Sequence, residues 1–178
     1  MKKVVKEVIG VILYIGLIIL LTFLFVHFVA QRTDVSGDSM NHTLIDGDSL
    51  VVDKISYRFR EPERFEIVIF PYRYDPDECF IKRIIALPGE TIRIDSDGNI
   101  YINGELLEEH YGAEVIRDPG RASEPITLGA DEYFVMGDNR NRSMDSREPS
   151  VGNIKKSDIV GRAIFRLYPF SAVGPVGK

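Results

Sequence analysis

The sequence predicts a mainly β protein, in which a single N-terminal transmembrane helix precedes an all-β domain. Residues 8–30 form a run without Lys, Arg, Asp or Glu, about the length that an apolar helix needs to cross a bilayer. Beyond it, short segments rich in β-branched and aromatic residues alternate with Gly, Pro, Asn and Asp, a pattern typical of strands and turns. The chain of 178 residues is long enough for one folded domain behind the helix.

The apolar run is interpreted as an uncleaved membrane anchor, residues 8–30. A secretory signal peptide is the competing interpretation, but its apolar region spans only about 7–15 residues and ends at small residues. Here the run is longer and ends in Phe28-Val29-Ala30, a poor cleavage site. We therefore expect the anchor to be retained in the lipid bilayer.

The charges beside the anchor predict its orientation. Lys2, Lys3 and Lys6 precede the run, and basic residues favour the cytoplasmic side of a membrane. We expect residues 1–7 to form a cytoplasmic tail and residues 31–178 an extracytoplasmic, β-rich domain. The protein would then be a single-pass protein of the cell membrane.

The composition of the outer domain excludes some classes of partner. Setting aside Lys2, Lys3, Lys6 and Glu7 from the 22 basic and 27 acidic residues leaves 19 and 26, a net charge of −7. Such a domain is a poor nucleic-acid binder, so no nucleic-acid partner is expected. Cys79 is the single cysteine of the chain and excludes an internal disulfide.

Turn signals divide the outer domain into strands. Asp97-Gly98 and Asn103-Gly104 bracket a short β-like segment and predict hairpins, whereas residues 108–125 are rich in Gly and Pro and predict a loop. Residues 95–99 have the acidic spacing of a calcium-binding loop, but the next residue is Ile100, where that loop needs Gly. A turn is therefore favoured. The cysteine and histidines lack metal-ligand spacing, and no metal or cofactor is expected. The predicted strands are 49–52, 65–70, 79–85, 91–95, 100–102, 132–136 and 159–167.

Residues 36–44, SGDSMNHTL, contain a candidate nucleophile, Ser39. A serine attacks only when a neighbouring group takes its proton. His42 follows closely but has no evident carboxylate partner to orient it, as a Ser-His-Asp triad requires. His110 lies in a charged stretch before a Gly-containing loop. Each histidine by itself is more typical of a polar surface.

Lys82 is the other candidate base. Lysine accepts a proton only when burial among apolar groups keeps it neutral. Lys82 lies between Phe80-Ile81 and Ile84-Ile85, in a segment expected to be a largely buried strand. An edge lysine that extends to water is an equally open interpretation.

The segments that carry these candidates resemble the boxes of type I (leader) signal peptidases, which are membrane-anchored Ser-Lys proteases. Residues 37–44, GDSMNHTL, are similar to the nucleophile box G-x-S-M-x-P-T-L, and residues 65–70, FEIVIF, to an apolar strand usually written G-D-[IV]-V-V-F. Lys82-Arg83, followed by Pro88-Gly89-Glu90, resembles the lysine box. Residues 137–147, GDNRNRSMDSR, resemble the last box, G-D-N-R-x-x-S-x-D-S-R. The resemblance runs from the anchor nearly to the C-terminus.

The resemblance implies a role for each matching residue. Ser39 is the expected nucleophile and Lys82 the general base, which indicates the Lys-type bacterial branch, because the other branch has His there. Ser143 is expected to hydrogen-bond the Lys82 amine, and Asp145 and Arg147 to pair and hold the loop of Ser143. With no carboxylate expected beside it, Lys82 should have a lowered pKa.

The sequence departs from the family pattern at the boxes themselves. His42 stands where the family has Pro, which removes a residue of fixed φ from the turn. Phe65 and Glu66 replace the usual Gly-Asp. Gly37 stands where some members carry a serine of the oxyanion hole, so backbone donors are expected there, the Ser39 N–H first among them.

The expected substrates are preproteins with small residues at the first and third positions before the cut. An extended peptide beside a strand buries alternate side chains. The candidate pocket residues are Val35, Met40, Leu44, Phe80 and Ile81. Two alternatives stay open: a Ser-Lys protease with another target, and a non-enzymatic anchored β domain that binds envelope proteins.

Overall fold

The computed structural model describes the backbone of residues 2–176, and the side chains in that range except those at 2–4 and 25–27. Its one α-helix, α1, spans Lys2–Phe28. The segment Val5–Leu24 has a mean hydropathy of 2.6 with no part buried against the protein, so its length and composition suit a membrane span. The helix begins and ends earlier than the predicted anchor 8–30, and residue 30 already belongs to a strand. The side chains of Lys2 and Lys3 lie outside the described residues, and the orientation stays a prediction.

Within residues 2–176, twelve strands follow the helix and form two antiparallel sheets. The strands are β1 (Ala30–Asp34), β2 (Ser49–Asp53), β3 (Ile67–Tyr72), β4 (Asp75–Ala86), β5 (Thr91–Ile94), β6 (Ile100–Ile102), β7 (Glu105–Leu106), β8 (Ile126–Thr127), β9 (Glu132–Met136), β10 (Ile154–Lys155), β11 (Gly161–Tyr168) and β12 (Gly174–Pro175). The larger sheet has the order β1-β2-β11-β3-β4-β9-β10, with β12 paired to β11, and the smaller sheet the order β7-β6-β5-β8. The predicted fold class, mainly β behind one apolar helix, is confirmed.

The predicted hairpins occur where the turn residues indicate. Asn103 and Gly104 both have positive φ, 54° and 86°, as a two-residue type I′ turn requires. The Asp95 carboxylate accepts hydrogen bonds from the backbone N–H groups of Asp97 and Asn99, at 3.0 and 2.9 Å, and closes the β5–β6 hairpin. Residues 95–99 therefore form the predicted turn.

Three differences from the predicted strands have simple causes. The segment 79–85 is the buried end of the longer strand β4, whose first residues are polar and exposed. Strands β7, β8, β10 and β12 have only two residues each, too few to show alternation. β1 is polar because it is an edge strand that pairs only with β2.

Strand β4 lies at the centre of the packing. Every residue from Phe80 to Ala86 is buried. Ile81 packs in the cluster beneath the β1–β2 connection, Phe80 and Ile84 pack in a second cluster, and Ile85 joins the core beside the smaller sheet. Any polar residue in this part of β4 is therefore removed from water on both faces of the sheet.

Phe65 has a left-handed backbone, with φ of 71°, at the position where the family has Gly. Such a φ is unfavourable for a residue with a Cβ. The Phe65 ring compensates by packing on Tyr111, with ring centroids 5.0 Å apart.

We expect Phe65→Gly to unfold at a higher temperature than Phe65→Ala. Both variants lose the ring contact, but only glycine relieves the left-handed strain, a difference of about 1 kcal/mol. Thermal unfolding of the two variants measures this order. Equal or reversed melting temperatures would contradict the assigned backbone strain.

Candidate active site

Ser39 lies in the turn that connects β1 to β2. The ends of this turn are joined by backbone hydrogen bonds from Val35 N to Asp48 O, 2.8 Å, and from Gly47 N to Val35 O, 3.0 Å. Met40 is buried in the core and anchors the turn from below. Ser39 itself is only partly buried, so its hydroxyl is held rigidly at the edge of a cleft.

Lys82 reaches Ser39 from strand β4. Its side chain is 4% exposed, and its Nζ donates to Ser39 Oγ over 2.8 Å and to Ile81 O over 3.0 Å. The same Nζ lies 5.0 Å from the centre of the Phe80 ring. The structure therefore brings together the two residues that the sequence predicts as nucleophile and base. The interpretation of Lys82 as an edge lysine extending to water is wrong, because its side chain is buried and its strand lies between β3 and β9.

Burial lowers the pKa of Lys82 to about 8, because the surroundings disfavour the ammonium form. The negative charges of Asp145 and Glu78 act in the opposite direction and raise it. Neither carboxylate forms an ion pair with Lys82 among the described residues, and desolvation remains the larger effect. An appreciable fraction of Lys82 is neutral in mildly alkaline solution.

The last box, residues 137–147, packs directly against the β1–β2 turn that carries Ser39, which we call the nucleophile turn. The Asn139 N–H donates to Ser39 O, and the Asn139 side-chain amide donates to Asp38 O, both over 3.0 Å. A Cβ on Gly137 would lie 2.3 Å from both Ser39 O and Ser143 Oγ. Only glycine permits this close approach of the two segments.

Asp145 and Arg147 form the expected pair. Both are buried, and Arg147 donates from Nε to Asp145 Oδ1 and from Nη2 to Oδ2, each over 2.9 Å. Asp145 Oδ2 also accepts from the Gly137 N–H at 3.1 Å. The pair thereby ties the end of the loop that carries Ser143 to its beginning.

The expected hydrogen bond between Ser143 and Lys82 does not form in this structure. Ser143 Oγ is buried without a hydrogen-bond partner among the described residues and lies against Gly137. Lys82 uses its donors on Ser39 and on the carbonyl of Ile81 instead. Ser143 therefore lies close to the site but forms no hydrogen bond with the Lys82 amine.

Four of the five predicted pocket residues line the cleft in front of Ser39 and Lys82. The cleft has a volume of about 470 Å³, and its apolar walls include Val35, Met40, Phe80 and Ile81. Leu44 is wrongly placed by the prediction, because it is 0% exposed and packs in the core beneath the turn. The Leu44 N–H donates to Met40 O over 2.9 Å, so the backbone coils once between the two residues and directs Leu44 into the same core cluster as Met40.

A buried ion pair behind the site was not predicted from the sequence. Arg83 donates to both carboxylate oxygens of Asp138, at 2.8 and 2.7 Å, and to Phe65 O at 2.7 Å. The pair joins the residue after Lys82 to the residue after Gly137. The sequence places both residues in the family boxes, but it does not indicate that they pair with each other.

The two candidate histidines, His42 and His110, form no hydrogen bond with Ser39 Oγ, which is bound by Lys82 instead. His42 and His110 are both exposed. This arrangement agrees with a histidine-independent site.

We expect His42→Pro and His42→Ala to retain at least half of the parent kcat/KM for preprotein cleavage, because neither change alters the contact between Lys82 and Ser39. Cleavage assays on both folded variants measure this, with His110→Ala as the matched control. Loss of activity in both His42 variants would point to a histidine base.

Comparison with known proteins identifies similar chains. The family described as signal peptidase, peptidase S26, matches residues 5–168. The chain is 41% identical over 152 residues to the probable signal peptidase I-2 of Synechocystis sp., covering 83% of this chain and 67% of that protein. It is 38% identical over 170 residues to signal peptidase I of Leptolyngbya laminosa, covering 92% and 81%. The crystal structure of a signal peptidase I from Enterococcus faecalis aligns with a TM-score of 0.47 at 33% identity, over 58% of this chain and 97% of that one.

Proposed function

From the premise that this chain belongs to the signal peptidase family, peptidase S26, we propose how its residues remove signal peptides from exported preproteins. The protein is a membrane-anchored peptidase of the signal peptidase I type. A non-enzymatic β domain would leave the contact between a buried lysine and a serine hydroxyl unexplained. The assignment of the chemistry to particular residues is our proposal.

One observation carries the assignment: Lys82 Nζ lies 2.8 Å from Ser39 Oγ, although the two residues are 43 positions apart. This distance is within hydrogen-bond reach for proton transfer between a nucleophile and its base. Burial, which lowers the pKa of Lys82 to about 8, makes the neutral amine accessible. Geometry and protonation therefore support the same pair.

In the first half of the reaction, neutral Lys82 takes the proton from Ser39 as Oγ attacks the scissile carbonyl. The ammonium then gives this proton to the leaving amine, which leaves the signal peptide bound to Ser39 as an ester. In the second half, Lys82 takes a proton from water, the resulting hydroxide equivalent attacks the ester, and Ser39 recovers its proton. Each proton that Lys82 accepts is returned within the cycle.

The oxyanion of the tetrahedral intermediate needs donors beside Ser39. The Ser39 backbone N–H forms no hydrogen bond among the described residues, so it is free to donate to that oxygen. Gly37 supplies no hydroxyl, in agreement with a hole built mainly from the backbone.

Ser143 is proposed to orient the amine during the reaction rather than before it. Its Oγ has no partner among the described residues, and a buried hydroxyl without a partner is unfavourable. After Lys82 is protonated it has a third N–H to donate, and Ser143 is held close by the Asp145–Arg147 pair. Donation to Ser143 would satisfy both groups.

The substrate is proposed to lie extended in the cleft, with small side chains before the cut against Met40 and Ile81. The anchor would hold residues 31–178 at the outer face of the bilayer, with residues 1–7 inside, where emerging signal peptides are within reach. A Ser-Lys protease with another target would not require small residues at these positions.

The rate of preprotein cleavage against pH tests this proposal. Below about pH 8 Lys82 carries a proton and cannot serve as base, so kcat/KM should fall about tenfold for each pH unit. Above that value the rate should level off. An acidic limb centred near pH 6.5, the ordinary range of histidine, would contradict Lys82 as the base. Failure to cleave a preprotein with small residues before the cut, at any pH, would refute the proposed specificity.

A further inference from the structure

A second cavity, which we call the polar cavity, borders the nucleophile turn and has no part in the mechanism above. Its volume is about 480 Å³, and its walls include Asn41 and His42 of the turn. Arg142 lines both the polar cavity and the cleft that contains Ser39 and Lys82. The two cavities are therefore neighbours, with Arg142 between them.

Hydrogen bonds hold the walls of the polar cavity in place. Asn139 binds the nucleophile turn through its backbone and its side chain. On the other wall, Asn141 donates to Glu114 Oε2 over 2.9 Å and accepts from the Arg117 N–H over 3.0 Å. Arg142 follows directly in the chain, so its backbone is held beside Ser39.

Arg142 is the cation of this region that has no acidic partner. It is exposed and forms no ion pair with any described residue. Arg117, by contrast, is paired with Glu114 at 3.2 Å. The only acidic residue that lines the polar cavity among the described residues is this paired Glu114. The cleft has more acidic residues in its wall, Asp34, Asp38 and Glu78. The two sides of Ser39 thus differ in charge.

We propose that Arg142 gives the enzyme a preference for an acidic residue in the first positions after the cleavage site. The inference rests on the proposed function, in which the small residues before the cut occupy the apolar cleft. The chain after the cut must then continue past Ser39, and the polar cavity is the neighbouring space that receives it. An acidic side chain there gains Arg142 as a partner, whereas a basic side chain is repelled.

The sequence pattern agrees with a role in specificity rather than in chemistry. In the last box, written G-D-N-R-x-x-S-x-D-S-R, Arg142 occupies one of the positions that the pattern leaves open. A residue at such a position can tune substrate choice while the neighbouring residues keep the catalytic geometry.

The size of the expected preference follows from the exposure of Arg142. Exposed ion pairs are weak and screened by salt, so we expect a change of about two- to fivefold in kcat/KM. The preference should shrink as the salt concentration rises.

The test uses the full chain in detergent and preproteins that differ only after the cut. One substrate series carries Asp, Asn or Lys at the first to third positions, and a second series carries the same residues before the cut. The enzymes are the parent, Arg142→Gln and Arg142→Glu. The matched control is Arg93→Gln, which removes an exposed arginine from β5 of the smaller sheet.

The parent and the Arg93→Gln variant should cleave the Asp substrate of the first series two- to fivefold faster than the Asn substrate, and the Lys substrate more slowly. Arg142→Gln should bring the three rates together, and Arg142→Glu should reverse their order. Equal rates with the parent, or a preference kept by Arg142→Gln, would overturn the proposal. A preference that appears only in the second series would also overturn it. Absence of cleavage of every substrate would instead refute the proposed function.

Discussion

Ser39→Ala is expected to lose preprotein cleavage by about 10⁴-fold or more, the loss typical when the nucleophile of a serine protease is removed. The hydroxyl that Lys82 contacts at 2.8 Å is the proposed attacking group, and alanine offers no atom to form the acyl-enzyme. The assay compares the parent and the variant on one preprotein, with detection of the released signal peptide.

Ser39→Ala should fold normally, because Ser39 is only partly buried and the turn is held by backbone hydrogen bonds that do not involve its side chain. Ser96→Ala, which changes an exposed serine in the β5–β6 hairpin, is the matched control and should keep full activity. Appreciable cleavage by a well-folded Ser39→Ala protein would mean that another residue is the nucleophile.

Lys82→Arg is expected to be as inactive as Lys82→Ala, with a loss of about 10³-fold or more. Arginine keeps the positive charge but cannot become neutral near pH 8, so it cannot accept the proton of Ser39. The longer, planar guanidinium also does not fit a position that is 4% exposed. The cleavage rates of both variants, measured across the alkaline range, check this expectation.

A second substitution separates loss of chemistry from loss of folding. Lys82→Met keeps the length of the side chain and removes the charge, whose burial is unfavourable. This variant should be inactive, yet its melting temperature should equal or exceed that of the parent. Lys155→Arg, at an exposed position of β10, is the control for a lysine-to-arginine change. Cleavage near the parent rate by Lys82→Arg would exclude Lys82 as the base.

Local sequence patterns were sufficient to predict the principal strands, a hairpin turn and the long helix. Alternation and β-branched content predicted the principal strands, and Asn103-Gly104 predicted a hairpin turn whose φ values, 54° and 86°, the structure confirms. The apolar run predicted the single long helix. These features follow from sequence because their energetics involve residues that are close along the chain.

The order of the boxes predicted the family and the candidate site residues. Residues 37–44 and 137–147 match patterns of residue type and spacing, and the comparisons confirm the family that those patterns indicate. Within the boxes, however, the sequence alone left the base open between histidine and lysine. The resemblance implied an answer but supplied no distance or protonation state.

Only the tertiary structure decided which side chains meet and which are buried. The contact of Lys82 with Ser39 spans 43 residues and depends on the pairing of β4 with both β3 and β9. Leu44 turns into the core, and Arg83 pairs with Asp138 across 55 positions. Such contacts are set by the packing of sheets and turns, because burial and charge depend on neighbours in space. The sequence by itself determined the elements and the residue types of the site, and the fold determined their distances, their burial and the lowered pKa of Lys82.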